Sequence, residues 1–435
     1  MPAVSVTLSG TINVPSGAKG ATGARGPIGP AGIDGQTVVG PAGAMGATGP
    51  AGASASADLT SPDGGVWSLG VSNAGVLSAV VKVPAVIVPT PTPVGIVVPN
   101  TIPSDGNTGV SAALNAWIAA QPNGSTLVFE PGKVYQLNGD AGLNLKGRSG
   151  LTLHGVGATL LQRTTGASNF SSAFFLENST NITVRGFSVD GGSTTTGQSM
   201  PDTRETMNAI AIRAGCSGID VDDVKWDNLL GFGPWISSAG GTVWPQDIRI
   251  RDCTIRGAEM GIAITAGRRV TIEDCTFRDT QYTVFDLEPD ASNSNGGGFE
   301  DVVIRRNIVD AYGWHETNSN WFLATVPQDA VVTTCTMDRL TVEGNEVIRG
   351  AALPNNGNFD GLGGLGVRAD KTNVKRGYII RDNRTTHPDT RQNSTPRAVM
   401  NLTAVDGLTI SGNVQPITGN ARLVDAGTST NVTLA

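Results

Sequence analysis

Asp286 and Glu288 stand two residues apart in Phe285-Asp-Leu-Glu-Pro289, with Asp290 just beyond. On an extended strand, residues two apart share a face at about 6.5–7 Å. Two carboxylates at that order of separation suit an inverting glycosidase, in which one acts protonated as the acid and the other ionised as the base. Three other segments share the pattern: Phe174-Phe-Leu-Glu-Asn178, Ile210-Ala-Ile-Arg-Ala214 and Ile262-Ala-Ile-Thr-Ala266. In each, the first and third residues point inward and the second and fourth outward. Glu177, Arg213, Thr265 and Glu288 then form one outward column. A Gly/Asn/Ser loop, Ser292–Gly298, follows and is placed to fold over a ligand. The competing reading is a row of solvated charges on an exposed sheet.

Other residues offer chemistry with less pattern. Glu205, with Asp202 and Arg204, falls in a long connection of the kind that often carries function, and Glu205 and Asp290 are alternatives for the acid pair. Tyr312, Trp314, His315 and Trp321 cluster within ten residues, and their rings could stack on sugars. Asp220, Asp222 and Asp223 suggest a metal cluster, but strand alternation points Asp220 and Asp222 away from the residues between them. Cys216, Cys253, Cys275 and Cys335 show neither a disulfide framework nor Cys/His spacing for zinc. His154 and His387 read as structural, and Trp235 and Trp244 flank a Gly-rich bend. Neither a metal nor a cofactor is expected.

The elements that must position these groups repeat. Asn181-Ile-Thr-Val-Arg-Gly-Phe-Ser-Val189 returns in altered form at Gly218, Asp247, Arg269, Asp301 and Arg339, and again at Gly377, Gly407 and Asn431. Apolar residues alternate, so each copy is a strand pair with one face buried. A unit this small cannot bury its own apolar face, so successive copies stack as a parallel β-helix, all-β in class. Cys253 and Cys275 share a column with Asn307, Asn345, Asn383 and Asn413, where stacked amides are expected to hydrogen-bond from coil to coil. No cap follows the last coil, and that end is expected to be closed by trimer contacts or a partner.

Ahead of the repeats the chain changes character. From Gly17 to Gly52 glycine recurs at every third place with one break, Pro and Ala filling the gaps. That is the collagen pattern, in which only glycine fits the shared axis of three chains. Residues 1–16 then form an attachment segment, 17–54 a triple-helical stalk, and 55–101 a small β unit with a Pro/Val-rich linker. Residues 102–435 carry the β-helix. One helix is expected between Ser104 and Ala120, capped by Asn107 or Thr108, with Leu114, Trp117 and Ile118 on its inner face. A net charge of −7 argues against a nucleic-acid partner, and no apolar run is long enough to cross a membrane.

Two resemblances follow from these residues. Ser104-Asp-Gly, the Ala-rich helix and Val128-Phe-Glu-Pro-Gly-Lys-Val-Tyr135 resemble the opening of the pectate-lyase-like family. That implies a right-handed parallel β-helix with an N-terminal capping helix, in which the outward column holding Glu177 and Arg213 is the face that binds glycan. It implies no activity: the family's polygalacturonase signature includes a paired aspartate, here Asp222-Asp223, but its other segments are missing. The order of terminal segment, collagen-like stalk and β-helix, with the unit Ser61-Pro-Asp-Gly-Gly-Val-Trp67, resembles minor tail proteins of actinobacteriophages. The role this implies is a homotrimeric tail fibre or spike in the virion tail tip. It would be made in the host cytoplasm, held to other tail-tip proteins by residues 1–16, and contact host cell-surface glycan. Catalysis on that glycan, or a purely structural spacer role, are the alternatives.

Overall fold

The structure, a computed structural model, describes residues 94–138, 142–163, 172–192, 208–229, 231–239, 241–290, 297–312, 321–328, 331, 334–349, 365, 367–369, 371–373, 375–385, 398–416 and 422–435. It also describes the backbone of three strands before residue 84. The expected attachment segment and collagen-like stalk lie outside these residues. The N-terminal unit contributes an antiparallel sheet in which Val66–Val71 lies between Ser56–Thr60 and Leu77–Val83.

Residues 93–435 form the second unit, a right-handed parallel β-helix with three parallel sheets. Each coil passes from a first-sheet strand (such as Ile210–Ile212) to a second-sheet strand (Ser217–Asp222) and a third-sheet strand (Lys225–Asp227). It then returns to the first sheet at Pro234–Ile236. The second sheet sets the register. Ile182, Ile219, Ile248, Val270, Val302 and Leu340 pair in series, all buried, as the repeat alignment requires. Interdigitated aromatic rings fill the interior, among them Phe277, Phe285 and Phe322 at 4.9 and 5.4 Å between successive centroids.

The repeat's first residue has a backbone reason. Asn181, Asp247, Arg269, Asp301, Arg339 and Asn431 all hold φ between 50° and 57°, and Gly218, Gly377 and Gly407 occupy the same place. A left-handed residue here turns the chain from the first sheet into the second. Arginine is a poor choice for that conformation, and each arginine in this column is held by a carboxylate one coil earlier. Arg269 Nε donates to Asp247 Oδ1 at 2.6 Å, and Arg339 Nε to Asp301 Oδ1 at 2.5 Å.

The turn from the second to the third sheet is equally short, with a left-handed residue followed by the predicted Cys/Asn column. Asn307 N–H and Nδ2 both donate to Asn345 Oδ1 (3.0 and 2.9 Å), and Asn345 repeats this onto Asn383 (3.0 and 2.8 Å). Asn383 does the same onto Asn413, at 3.1 and 2.9 Å. Each amide also donates to a carbonyl of the coil before, as Asn345 Nδ2 does to Ile304 at 3.0 Å. The thiols of Cys253 and Cys275 occupy the same column, buried, as expected.

One helix, Ser111–Ala120, stands among the described residues and covers the N-terminal end. Leu114 and Ile118 are buried beneath it, and Trp117 meets Phe129 edge-on at 5.9 Å. The expected cap is wrong. Residue 110 precedes the helix without a side-chain cap, because Asp105–Gly109 is a third-sheet strand bonded to Val134–Asn138. Asn107 and Thr108 instead donate their N–H groups to the Asp105 carboxylate. At the other end Leu434 is 57% exposed, and no element among the described residues covers it.

Outward from the second sheet runs a charge ladder. The Glu273 carboxylate, 1% exposed, accepts from Arg249 Nε (2.6 Å), Arg305 Nε (2.8 Å) and Arg306 Nη2 (2.8 Å). Burial favours the protonated acid, but the three guanidinium hydrogen bonds prevail and hold the carboxyl at about 2. Asp220 and Asp222 belong to the same ladder through Arg251, and no group of three metal-ligating side chains occurs among the described residues.

Two outcomes are expected. Asn345→Ala strips acceptors from two Asn307 donors in a dry interior and should cost about 2–4 kcal/mol, read from the denaturant midpoint. Glu273 is ionised in the folded protein down to about pH 2 but only to about 4.5 unfolded. Its contribution is therefore present above pH 4.5 and lost as pH falls toward 2. The thermal midpoints of wild type and Glu273→Gln should differ at neutral pH and converge on acidification.

Candidate functional site

The four segments that share an inward/outward pattern occupy the first sheet in the anticipated register. Phe174 pairs with Ile210 and Ile262 with Phe285, with those side chains and Leu176, Ile212, Ile264 and Leu287 all in the core. The outward row between them reads Phe175, Ala211, Trp235, Ala263, Asp286, Ala324 and Arg368, one residue per coil. At about 4.8 Å per coil, Phe175 lies about 19 Å and Trp235 about 10 Å from the Asp286 level.

This row is recessed. An outward side chain on a bare sheet would stand in water, yet Phe175 is 9% exposed and Asp286 only 8%. Trp235 is the half-open member. Pro234–Ile236 is a further first-sheet strand that the sequence conceals, because it opens on a proline where the other four segments open on Phe or Ile. The run Pro234-Trp-Ile236, apolar at first and third place, was the available signal.

Glu177 and Arg213, expected to bind glycan, are brought together. Arg213 Nη1 lies 3.5 Å from Glu177 Oε2, and Lys146 Nζ lies 2.5 Å from Glu177 Oε1. The Arg213 guanidinium also lies over the rings of Phe175 (5.6 Å) and Trp235 (6.0 Å). Burial pulls its pKa below the ordinary value and Glu177 opposes that. This arrangement fixes the Trp235 ring face at one end of the row.

The expected acid pair is at the other end. Asp286 is the outward residue of its strand, and Glu288 continues the same face in register with Thr265 above. Glu259 enters from the corner one coil earlier, its carbonyl accepting from Tyr282 N–H at 2.9 Å. Burial, then the charges of Glu288, Asp290 and Glu259, push the Asp286 carboxyl well above the usual carboxylate range. A buried acid whose pKa is raised beside further carboxylates is what acid catalysis at a glycosidic oxygen requires.

The aromatic residues fare differently. Tyr312 is 1% exposed and packs in the hydrophobic core, in register with Thr280 of the third sheet. Its ring is a core packing group, which corrects the expectation that it stacks on sugar. Trp321 is 6% exposed at the strand entry beneath Thr283, offering little surface to a ligand. Trp314, His315 and Glu205 lie outside the described residues.

Residues 136–284 match the family described as right handed beta helix region. Among solved structures, the chain is similar to an alginate lyase from Paenibacillus sp. str. FPU-7. Identity there is 12% and the TM-score 0.42, over 72% of this chain and 97% of that one. A family 28 exopolygalacturonase from Yersinia enterocolitica gives 9% identity and a TM-score of 0.39 over 85% and 83%. The tailspike protein of E. coli bacteriophage HK620, solved with a pentasaccharide, gives 14% and 0.43 over 78% and 65%. No curated protein matches the chain in sequence. These are likenesses of fold, and the chemistry of the row is read from its own residues.

The Asp286 shift fixes a stability effect. The folded group holds its proton to higher pH than the unfolded one, so folding stability declines as pH rises through and above the ordinary aspartate range. Asp286→Asn removes that penalty. Its melting temperature should exceed wild type at pH 7 and fall level with it below pH 4. A lower melting temperature at pH 7 would contradict the assignment.

Proposed function

We propose that this protein binds glycan along the recessed first-sheet row and presents that row from a homotrimeric phage tail. The observation that carries the binding reading is the row itself. It spans five coils from the Phe175–Arg213–Trp235 stack to the Asp286 carboxyl, aromatic at one end and acidic at the other. A pyranose unit advances a glycan by about as much as one coil advances the stack, so a chain laid along the axis meets one outward residue per sugar. The collagen-like repeat and its place ahead of the β-helix support the trimer. The tail-tip location, and attachment through residues 1–16 to other tail proteins, rest on the resemblance of domain order to actinobacteriophage minor tail proteins.

A second reading is favoured by Asp286. With its carboxyl protonated, it would donate a proton to a glycosidic oxygen while Glu288, or Asp290, takes a proton from water attacking the opposite side of the sugar. The protein would then hydrolyse the glycan that it binds.

Both readings are tested on the full chain with host-envelope polysaccharide. Trp235→Ala should weaken saturable binding by about tenfold or more, the loss expected for an aromatic platform. Release of reducing ends, if the row hydrolyses, should fall by about 10²–10⁴ in Asp286→Asn and, in wild type, decline as pH rises and the acid loses its proton. Unchanged binding in Trp235→Ala would remove the row from glycan recognition. A solution mass near a single 44.6 kDa chain would remove the trimer.

A further inference from the structure

We propose that the corner carrying Val243 and Trp244 is a second sugar contact, and that the glycan on the first-sheet row is therefore branched. This rests on the glycan-binding reading above and narrows it to a substrate class.

The length of chain at this corner is the first observation. Ile212, Ile236 and Ile264 stack in the first sheet, and Ser217, Gln246 and Arg268 stack in the second. Between those levels the coil before uses four residues (213–216) and the coil after uses three (265–267), whereas this coil uses nine (237–245). The surplus has no room between coils one strand spacing apart, about 4.8 Å, so it stands out from the corner. Val243 is accordingly 62% exposed.

The projection is tied down. Gly215 N–H donates to the Val243 carbonyl at 2.9 Å, Gly241 N–H to the Ser238 carbonyl at 3.1 Å, and Ala239 N–H to Ser237 Oγ at 3.0 Å. Gly241 packs so closely on the coil before that a Cβ there would meet the Ala214 side chain at 2.8 Å. The Trp244 ring is held from the coil after. The Arg268 guanidinium lies over it at 4.8 Å, and Arg268 Nε is 3.3 Å from Glu300 Oε2.

A half-buried indole and an exposed valine on a fixed projection suit one sugar ring. They fall far short of the roughly 800 Å² per side that a stable protein interface buries. The guanidinium takes one face of the indole, and the apolar face of a pyranose would take the other. The Arg268–Glu300 pair beside it supplies donors and acceptors for hydroxyls.

Position in the coil decides the branching. Trp235 and Trp244 belong to one coil and so to one level of the stack. Their coil's neighbour crosses the same corner in five residues, from Ala263 to Arg268, a reach of about 18 Å at most. Trp244 therefore lies beside Trp235, around the coil rather than along the axis. A linear glycan following the row passes Trp244 by. A side branch on the unit seated at Trp235 turns toward it.

The test uses the full chain and envelope polysaccharide from a panel of actinobacteria, cut back in mild acid and sorted by methylation analysis into branched and debranched fractions. Affinity electrophoresis in gels containing each fraction reads binding directly. Wild type should bind the branched fraction about fivefold or more tightly than the debranched one. Trp244→Ala should lose that advantage with its affinity for the debranched fraction unchanged, and Trp244→Phe should keep most of it. Val243→Ser, at a position the core does not use, should weaken branched binding alone by about twofold, and it decides the matter if Trp244→Ala does not fold. Equal affinity of wild type for the two fractions, or variants that lose neither or lose both alike, would overturn the branch contact while leaving the row reading in place. Retardation of wild type by neither fraction would overturn both.

Discussion

Between the second and third sheets the chain turns in two residues, and the second of them must satisfy buried backbone groups of two coils at once. An asparagine does this because its amide carries both donors and acceptors. Asn345 donates upward to the Ile304 carbonyl and downward to Asn383, and accepts from Asn307. That exchange holds consecutive coils one strand spacing apart, about 4.8 Å, and in register. A slip of one residue would turn every inward side chain outward. The interior aromatic stacks, the outward ion ladder and the first-sheet row all presuppose this alignment.

The outward faces differ in what they do with that alignment. On the second sheet, opposite charges stack coil over coil, and Glu273 gathers three arginines until its carboxyl is ionised across the whole ordinary range. Charge there is spent within the protein. On the first sheet the same spacing brings Asp286 near Glu288, Asp290 and Glu259, and burial and those charges drive the Asp286 carboxyl upward. Carboxylates placed on two faces of one helix thus meet opposite surroundings, ionised among arginines at Glu273 and raised by burial and like charge at Asp286.

Much of this was legible in the sequence. The repeat alignment from Ile182 to Leu340 is the observed register, because a period-two strand with one buried face leaves little choice. The Asn column and the inward residues of the first sheet were readable for the same reason. What escaped depended on strand composition and long-range pairing. Pro234–Ile236 is hidden by its leading proline, so the sequence places Trp235 beside a bend and not on a strand. Asp105–Gly109 resembled a helix start, but pairing with Val134–Asn138 drew it into a sheet. Tyr312 shared an aromatic-rich stretch with Trp314, yet its strand register turned it into the core. The recession of Asp286 was not readable at all, since alternation gives the direction of a side chain and not what surrounds it.

The central claim is that glycan lies along the helix axis over the first-sheet row. The most direct measurement is a crystal structure of the protein with a bound oligosaccharide released from, or selected out of, host envelope. Density crossing from the Trp235 ring to Asp286, advancing one sugar per coil, is the predicted result. Density across the charged second sheet, or on the third sheet with the first-sheet row empty, would contradict the account.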